Sequence, residues 1–283
     1  MTATTTPQRP ADEADRALKA AHRAMWALGD YPCVAHDVIP DLGRTLVEAC
    51  GIGPGDRVLD VAAGSGNAAF PAAAVGASVV ACDLTPSLLE AGRAAAASGG
   101  AELEWREADA EALPFGDEAF DAAVSCVGVM FAPHHERCAD ELVRVVRPGG
   151  TIGLVSWTPQ GFIGQMFATM KPYAAPPPPG SQPPPLWGDE DHVRGLFGDR
   201  IAEVTTSRAS VRVDHFETPE GFRDYFKANY GPTIAAYRRL ADDPERAAAL
   251  DDDLAELARA FDIGAGSTVM EWEYLLLVAR RAA

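Results

Sequence analysis

One stretch restricts the fold more than any other. Arg57-Val58-Leu59-Asp60-Val61-Ala62-Ala63-Gly64-Ser65-Gly66-Asn67 joins a short apolar strand to a glycine turn through a single acid. Val58, Leu59 and Val61 have the β-branched and aliphatic character of a buried parallel strand. The glycines allow a tight turn and a close backbone approach to a ligand that a Cβ would push away. Asn67 to Ala74 can then start a helix, with Pro71 tolerated only in its first turn. Strand, turn and helix in this order predict one unit of an α/β sheet.

As a pattern, Gly64-Ser65-Gly66-Asn67-Ala68-Ala69 satisfies G-x-G-x-x-A, which admits a dinucleotide site and with it an NAD-dependent dehydrogenase. Asp60 argues against that choice. At close range its carboxylate repels a pyrophosphate and attracts an ammonium or a sulfonium. The segment resembles motif I of the class I S-adenosylmethionine-dependent methyltransferases, acid-x-Gly-x-Gly-x-Gly, with Ala62 where the first glycine usually stands. The type it is most similar to acts on small molecules, as the ubiquinone and menaquinone methyltransferases do.

Further along, Ser78 to Cys82 reads as a second strand ending at Asp83, 23 residues after Asp60. That is about one β-α-β step, and an acid there suits the two hydroxyls of a ribose. Thr85-Pro86 reads as N-cap and first residue of the next helix. A third strand is expected around Leu103 to Arg106, and the Asp109-to-Phe115 segment after it resembles the family's adenine-binding segment. The resemblance places Asp109 on the exocyclic amine and the Ala110 N–H on the ring. Phe120 to Val127 resembles motif IV, whose end, Ser125, Cys126 and Val127, faces the methionine part of the cofactor. A helix over 136–146, a stop at Pro148-Gly149-Gly150 and a fifth strand over Thr151 to Trp157 complete the series.

Taken singly, each acid has a plainer reading: a helix-dipole partner for Asp60, a cap for Asp83, a turn residue for Asp109. Three acids at three successive strand ends are harder to explain that way, because open α/β sheets bind ligands at their carboxyl edge. The implied cofactor is S-adenosyl-L-methionine, held by Asp60, Ala62, Gly64, Gly66, Asp83, Leu84, Asp109, Ala110 and the Ser125–Val127 strand end.

The expected fold is a Rossmann-like, doubly wound seven-stranded α/β sheet, mostly parallel with the last strand antiparallel. The expected organisation is a helical N-terminal lid (1–50), a cofactor-binding core (51–157), a Pro-rich lid with the sixth strand (158–217), a helical cap insertion (218–266) and a closing strand (267–283). Ala14, Leu18, Ala21, Met25 and Leu28 recur at spacings of four and three, the apolar stripe of an amphipathic lid helix. Trp26 reads as packing. Tyr31 is a candidate cofactor contact, because related enzymes fold such a lid over the cofactor. Between Gly161 and Gly188 the prolines predict extended backbone rather than helix, with Phe162, Met166, Phe167 and Trp187 as apolar surface for an acceptor. In the cap, Leu250, Leu254, Leu257 and Phe261 form a core stripe, and Phe222, Tyr225, Phe226, Tyr230 and Tyr237 an aromatic cluster.

Methyl transfer is an in-line displacement, so positioning and exclusion of water come first. A base is required only when the acceptor must lose a proton. Some relatives carry a His-His pair after the fourth strand, where this chain has Met130 and Phe131. His134 and His135 follow, read as an exposed loop leading into a helix; with Tyr31 and Tyr230 they are the candidate catalytic residues. No metal-ligand cluster is visible among the six histidines, and no G-x-S-x-G elbow is present.

Composition bounds the partners. A formal net charge of −17 repels phosphate backbones and favours a small-molecule methyl acceptor over nucleic acid. Five cysteines without a C-x-x-C spacing read as reduced thiols in the cytoplasm. Met1 to Glu13 carries no apolar signal-peptide core, and no run is apolar enough for a bilayer. A homodimer is compatible with all of this. Outside transfer chemistry, the same fold can serve a cofactor-retaining cyclase or binding protein.

Overall fold

The computed structural model describes residues 13–178 and 180–283. The expectation for Met1 to Asp12 lies outside them. Three helices, α1 (Glu13–Trp26), α2 (Tyr31–Val38) and α3 (Leu42–Ala49), precede the sheet. The core then alternates β1 (Arg57–Val61), α4 (Ala69–Ala74), β2 (Ser78–Asp83), α5 (Pro86–Gly99), β3 (Glu104–Glu107), β4 (Phe120–Cys126), α6 (His135–Val145) and β5 (Val146–Trp157). Helices α7 (Phe162–Met170) and α8 (Glu190–Phe197) lead to β6 (Ile201–Phe216). The cap α9 (Pro219–Asn229), α10 (Gly231–Arg239) and α11 (Pro244–Phe261) returns to β7 (Thr268–Arg281).

The seven strands are ordered β3-β2-β1-β4-β5-β7-β6. Strands β1 to β5 pair in parallel, and β7 runs antiparallel to both β5 and β6. This is the mostly parallel seven-stranded sheet with an antiparallel last strand that the sequence predicts. Central strands β1 and β4 are buried along almost their whole length, as a sheet covered on both faces requires. The strand order reverses at β1, with β2 on one side and β4 on the other, so a crevice opens beyond their carboxyl ends.

Lid and cap are joined by backbone. Asp30 N donates to Asn229 O at 3.0 Å, and Gly29 bridges Tyr230. Gly29 has φ +71°, and a Cβ there would fall 2.3 Å from Asn229 O, so only glycine lets the lid pass this close.

Two expectations need correction. Residues 161–188 are not extended throughout: Phe162–Met170 is a helix, because the prolines begin only at Pro172 and the apolar residues before them are free to coil onto the core. In α1 the helix is where its periodicity predicts, but Ala14 and Ala21 are exposed while Lys19 is buried. Asp15, Lys19, His22 and Trp26 share the inward face, because that face covers a polar crevice rather than an apolar core.

Candidate active site

The crevice begins where β1 ends. Ala62 turns the chain with φ +54°, a left-handed conformation that costs an L-residue about 1–2 kcal/mol and explains why glycine is usual there. Ala62→Gly removes that strain while loosening the unfolded chain by about 0.4–1 kcal/mol. The urea midpoint is therefore expected to hold or rise slightly; a clear fall would show that the Ala62 methyl packs usefully.

Asp83, at the end of β2, is 8% exposed and accepts the Gly64 N–H on Oδ2 and the Thr85 N–H on Oδ1, each at 2.8 Å. It therefore ties the glycine turn to the start of α5, and Thr85 caps that helix by position rather than through its hydroxyl. Burial pushes the Asp83 carboxyl up, and these N–H bonds oppose the rise. Asp60 lies deeper, 1% exposed, with neither carboxylate oxygen hydrogen-bonded. Burial pushes it up to about 8, and the Asp83 charge adds to this. The nearby N–H groups of Ala69 and Ala68 offset part of the rise without closing a bond of ordinary geometry.

After β3, Asp109 and Ala110 line the cleft. Asp109 Oδ1 accepts both the Glu111 N–H and the Lys19 ammonium at 3.0 Å. Glu111, 8% exposed, meets Lys19 Nζ at 2.9 Å and both the N–H and Nδ1 of His134 at 2.8 Å. Single ligand atoms of Asp15, Glu111 and His134 come within 4.8 Å of one another, as in a metal site. Lys19 and Arg137 already sit against these carboxylates, so the group reads as an ion-pair network.

At the other end the walls are apolar. Trp26 packs against Tyr31, Phe131 and Tyr230 with ring centroids 5.6, 4.7 and 5.7 Å apart, and Phe167 backs Phe131 at 5.9 Å. Val127 turns there with φ +47°, beside Gly128, whose missing Cβ would sit 2.2 Å from Ala62 O. The cleft and its open mouth together hold about 660 Å³ of empty space.

Of the residues singled out by sequence, Tyr31, Ala62, Gly64, Asp83, Leu84, Asp109, Ala110 and Val127 line this cleft. Asp60, Gly66, Ser125 and Cys126 lie outside its lining. Gly66 packs beside Phe70 and Trp105, and the Ser125 hydroxyl is spent between Val61 O (2.7 Å) and the Val129 N–H (2.9 Å). His134 is bound to Glu111. His135 is not in an exposed loop: it is 0% exposed, 3.0 Å from His192 Nε2 through Nδ1, and burial pushes it down to about 3. Tyr230 is buried behind Trp26, and burial raises its hydroxyl far above the ordinary value.

Sequence reasoning missed Lys19 and His22 and assigned Trp26 to packing, yet all three line the cleft. Burial, with the Lys19 charge adding to it, lowers His22 and keeps its imidazole neutral at pH 7. The signal was their shared helix face at spacings of three and four, hidden because only apolar residues were counted.

The donor set fits a nucleoside with cationic groups: buried Asp83 beside Gly64, Asp109 one strand further on, and the orphaned Asp60 carboxylate below the turn. Residues 59–154 match the family model of a methyltransferase domain. An uncharacterized protein of Mycobacterium tuberculosis is 53% identical over 272 residues, 96% of this chain and 98% of that protein. A demethylmenaquinone methyltransferase of Clavibacter sepedonicus is 44% identical over 98 residues, 35% of this chain and 40% of its own. In structure the chain is similar to a crystal structure described as a putative methyltransferase from Bacillus halodurans, with TM-score 0.57 and 21% identity over 85% of this chain and 99% of that one. The glycine turn and the sheet order agree with these likenesses: residues 59–154 carry a methyltransferase domain, on the fold of the class I S-adenosylmethionine-dependent methyltransferases.

Proposed function

We propose that the enzyme methylates a small, apolar or aromatic metabolite held against Trp26, Tyr31 and Phe131. The observation that carries this reading is the composition of the cleft beyond Val127, where Gly128, Phe131, Ala132, Pro133, Trp26 and Tyr31 present no charged side chain. An acceptor with a charged reacting end would lose its hydration there without a partner.

When bound, the cofactor supplies a sulfonium-activated methyl group. In this reading Asp83 receives the ribose hydroxyls, and Gly64 and Ala62 let the chain pass close. Asp109 and Ala110 address the adenine, and Asp60, Gly66, Leu84, Ser125, Cys126 and Val127 shape the turn and strand ends around it. The aromatic residues exclude water and orient the acceptor, which is most of what a displacement needs. Burial raises the hydroxyls of Tyr31 and Tyr230, so neither accepts a proton at neutral pH. An acceptor reacting through an electron-rich carbon, or already ionised, needs no base. The five free thiols fit a reducing cytoplasmic setting. No helix of the described residues is long and apolar enough to cross a membrane.

The test is incubation with methyl-labelled cofactor and a metabolite extract split by polarity. Label is expected in the apolar fraction, identified by mass spectrometry. Label confined to polar amines, acids or macromolecules would sink the apolar-acceptor reading.

A further inference from the structure

We propose that Lys19 is the gate on the cofactor's route into the cleft, closing the nucleoside end by bridging Asp109 and Glu111. This rests on the cofactor reading above. Lys19 is the one residue of α1 that is buried, and its ammonium is met by two carboxylates from the core, at 3.0 and 2.9 Å. A buried cation held this way is strong while both partners remain and is exposed to competition when one leaves.

The pair is also a partition. Outside it runs a second groove, between α1 and the first turn of α5, lined by Ala20, Ala24 and Ala27 on one side and Pro86 and Ser87 on the other. Lys19 and Asp109 border both this groove and the cleft. Separating them joins the two spaces into one passage from solvent to the nucleoside end.

The anchoring of α1 is uneven in a way that suits a gate. Its carboxyl end is held to the cap by backbone, through the Asp30–Asn229 hydrogen bond and the Gly29 bridge. Its inner face meets the core through ion pairs: Lys19 on Asp109 and Glu111, Arg23 on Glu107, and Asp15 with Arg137. The exposed pairs, Arg23 with Glu107 and Arg137 with Asp15, are weaker ties than a backbone clamp, so among the described residues Lys19 is the buried tie that holds the paired face closed. Two acids also allow an exchange. Asp109 can turn to an exocyclic amine while Glu111, itself fixed by His134, keeps Lys19 and hence the lid in place.

The experiment uses the whole chain and S-adenosylhomocysteine, with association followed by tryptophan fluorescence in stopped flow and release by chase of labelled ligand. Lys19→Met is expected to release the ligand roughly tenfold faster or more, and Lys19→Arg to restore most of the wild-type rate. Ala24→Trp, which fills the outer groove without touching the cleft, is expected to slow association and release together and leave Kd nearly unchanged, as only a blocked passage does. Unchanged release from Lys19→Met, or an Ala24→Trp variant with wild-type rates, overturns the gate while the cofactor reading stands. A folded wild type that does not bind S-adenosylhomocysteine removes that reading and the gate with it.

Discussion

Asp83→Ala is expected to weaken S-adenosylhomocysteine binding by roughly ten- to a hundredfold, measured by calorimetry. The size follows from the chemistry of the lost group: hydrogen bonds to a charged acceptor contribute about 1.5–3 kcal/mol, and each 1.4 kcal/mol is a factor of ten. The loss has two parts. The carboxylate is the only acidic side chain at the end of β2 that lines the cleft, so nothing replaces it toward ligand hydroxyls. Its removal also frees the Gly64 and Thr85 N–H groups and lets the glycine turn drift from the start of α5. Asp83→Asn separates the parts. It keeps one carbonyl oxygen for one of those N–H groups and sets an amide NH2 against the other, so an intermediate affinity is expected. A folded Asp83→Ala protein with wild-type affinity would take Asp83 out of the site.

Asp83 is legible in the amino-acid sequence, and the reason is physical. Strand ends in a parallel sheet fall on one edge, so Asp60, Asp83 and Asp109, at or just past the ends of β1, β2 and β3, are brought to that edge by topology alone, without knowledge of any contact. Asp83 and Asp109 do line the cleft. The second wall was not legible in the same way. Whether α1 turns Leu18 or Lys19 inward depends on what lies opposite, and the Asp109–Glu111 pair that receives Lys19 is 90 residues or more away in the chain. An apolar stripe is a reliable guide only when the facing surface is apolar. His135 shows the same limit: its backbone belongs to a helix start that sequence locates within one residue, but its burial comes from His192, Trp187 and Gln182, of which sequence singles out only Trp187, and that as acceptor surface rather than as the core residue it is. Phe131, noted only as the place where a histidine was missing, proves to be part of the aromatic wall.

His135 and Asp60 set up opposing pH dependences that two variants should separate. His135 stays neutral in the fold down to about 3, because burial and its imidazole neighbours His192 and His134 disfavour the cation. Its folded pKa lies below the unfolded value, so from about pH 6.5 downward the unfolded chain binds a proton the native state refuses. Native stability is then lost by about 1.4 kcal/mol per pH unit until pH approaches 3. Asp60 acts in the other direction. Its folded value near 8 lies above the ordinary carboxylate range, so the native state holds a proton that the unfolded chain has released. Its contribution is present at low pH and is lost as pH rises from about 4 toward 8, with Asp83 adding in the same sense. Between about pH 4 and 6.5 the two slopes cancel in the wild type. Urea midpoints across pH, compared with the wild type, should show His135→Asn gaining relative stability as pH falls below 6.5, and Asp60→Asn gaining as pH rises toward 8. Parallel profiles for wild type and His135→Asn would mean that His135 is hydrated and titrates normally, and parallel profiles for Asp60→Asn would mean the same for Asp60. In the Asp60→Asn protein the acid-side loss of stability should be steeper than in the wild type, with only the Asp83 contribution still opposing it.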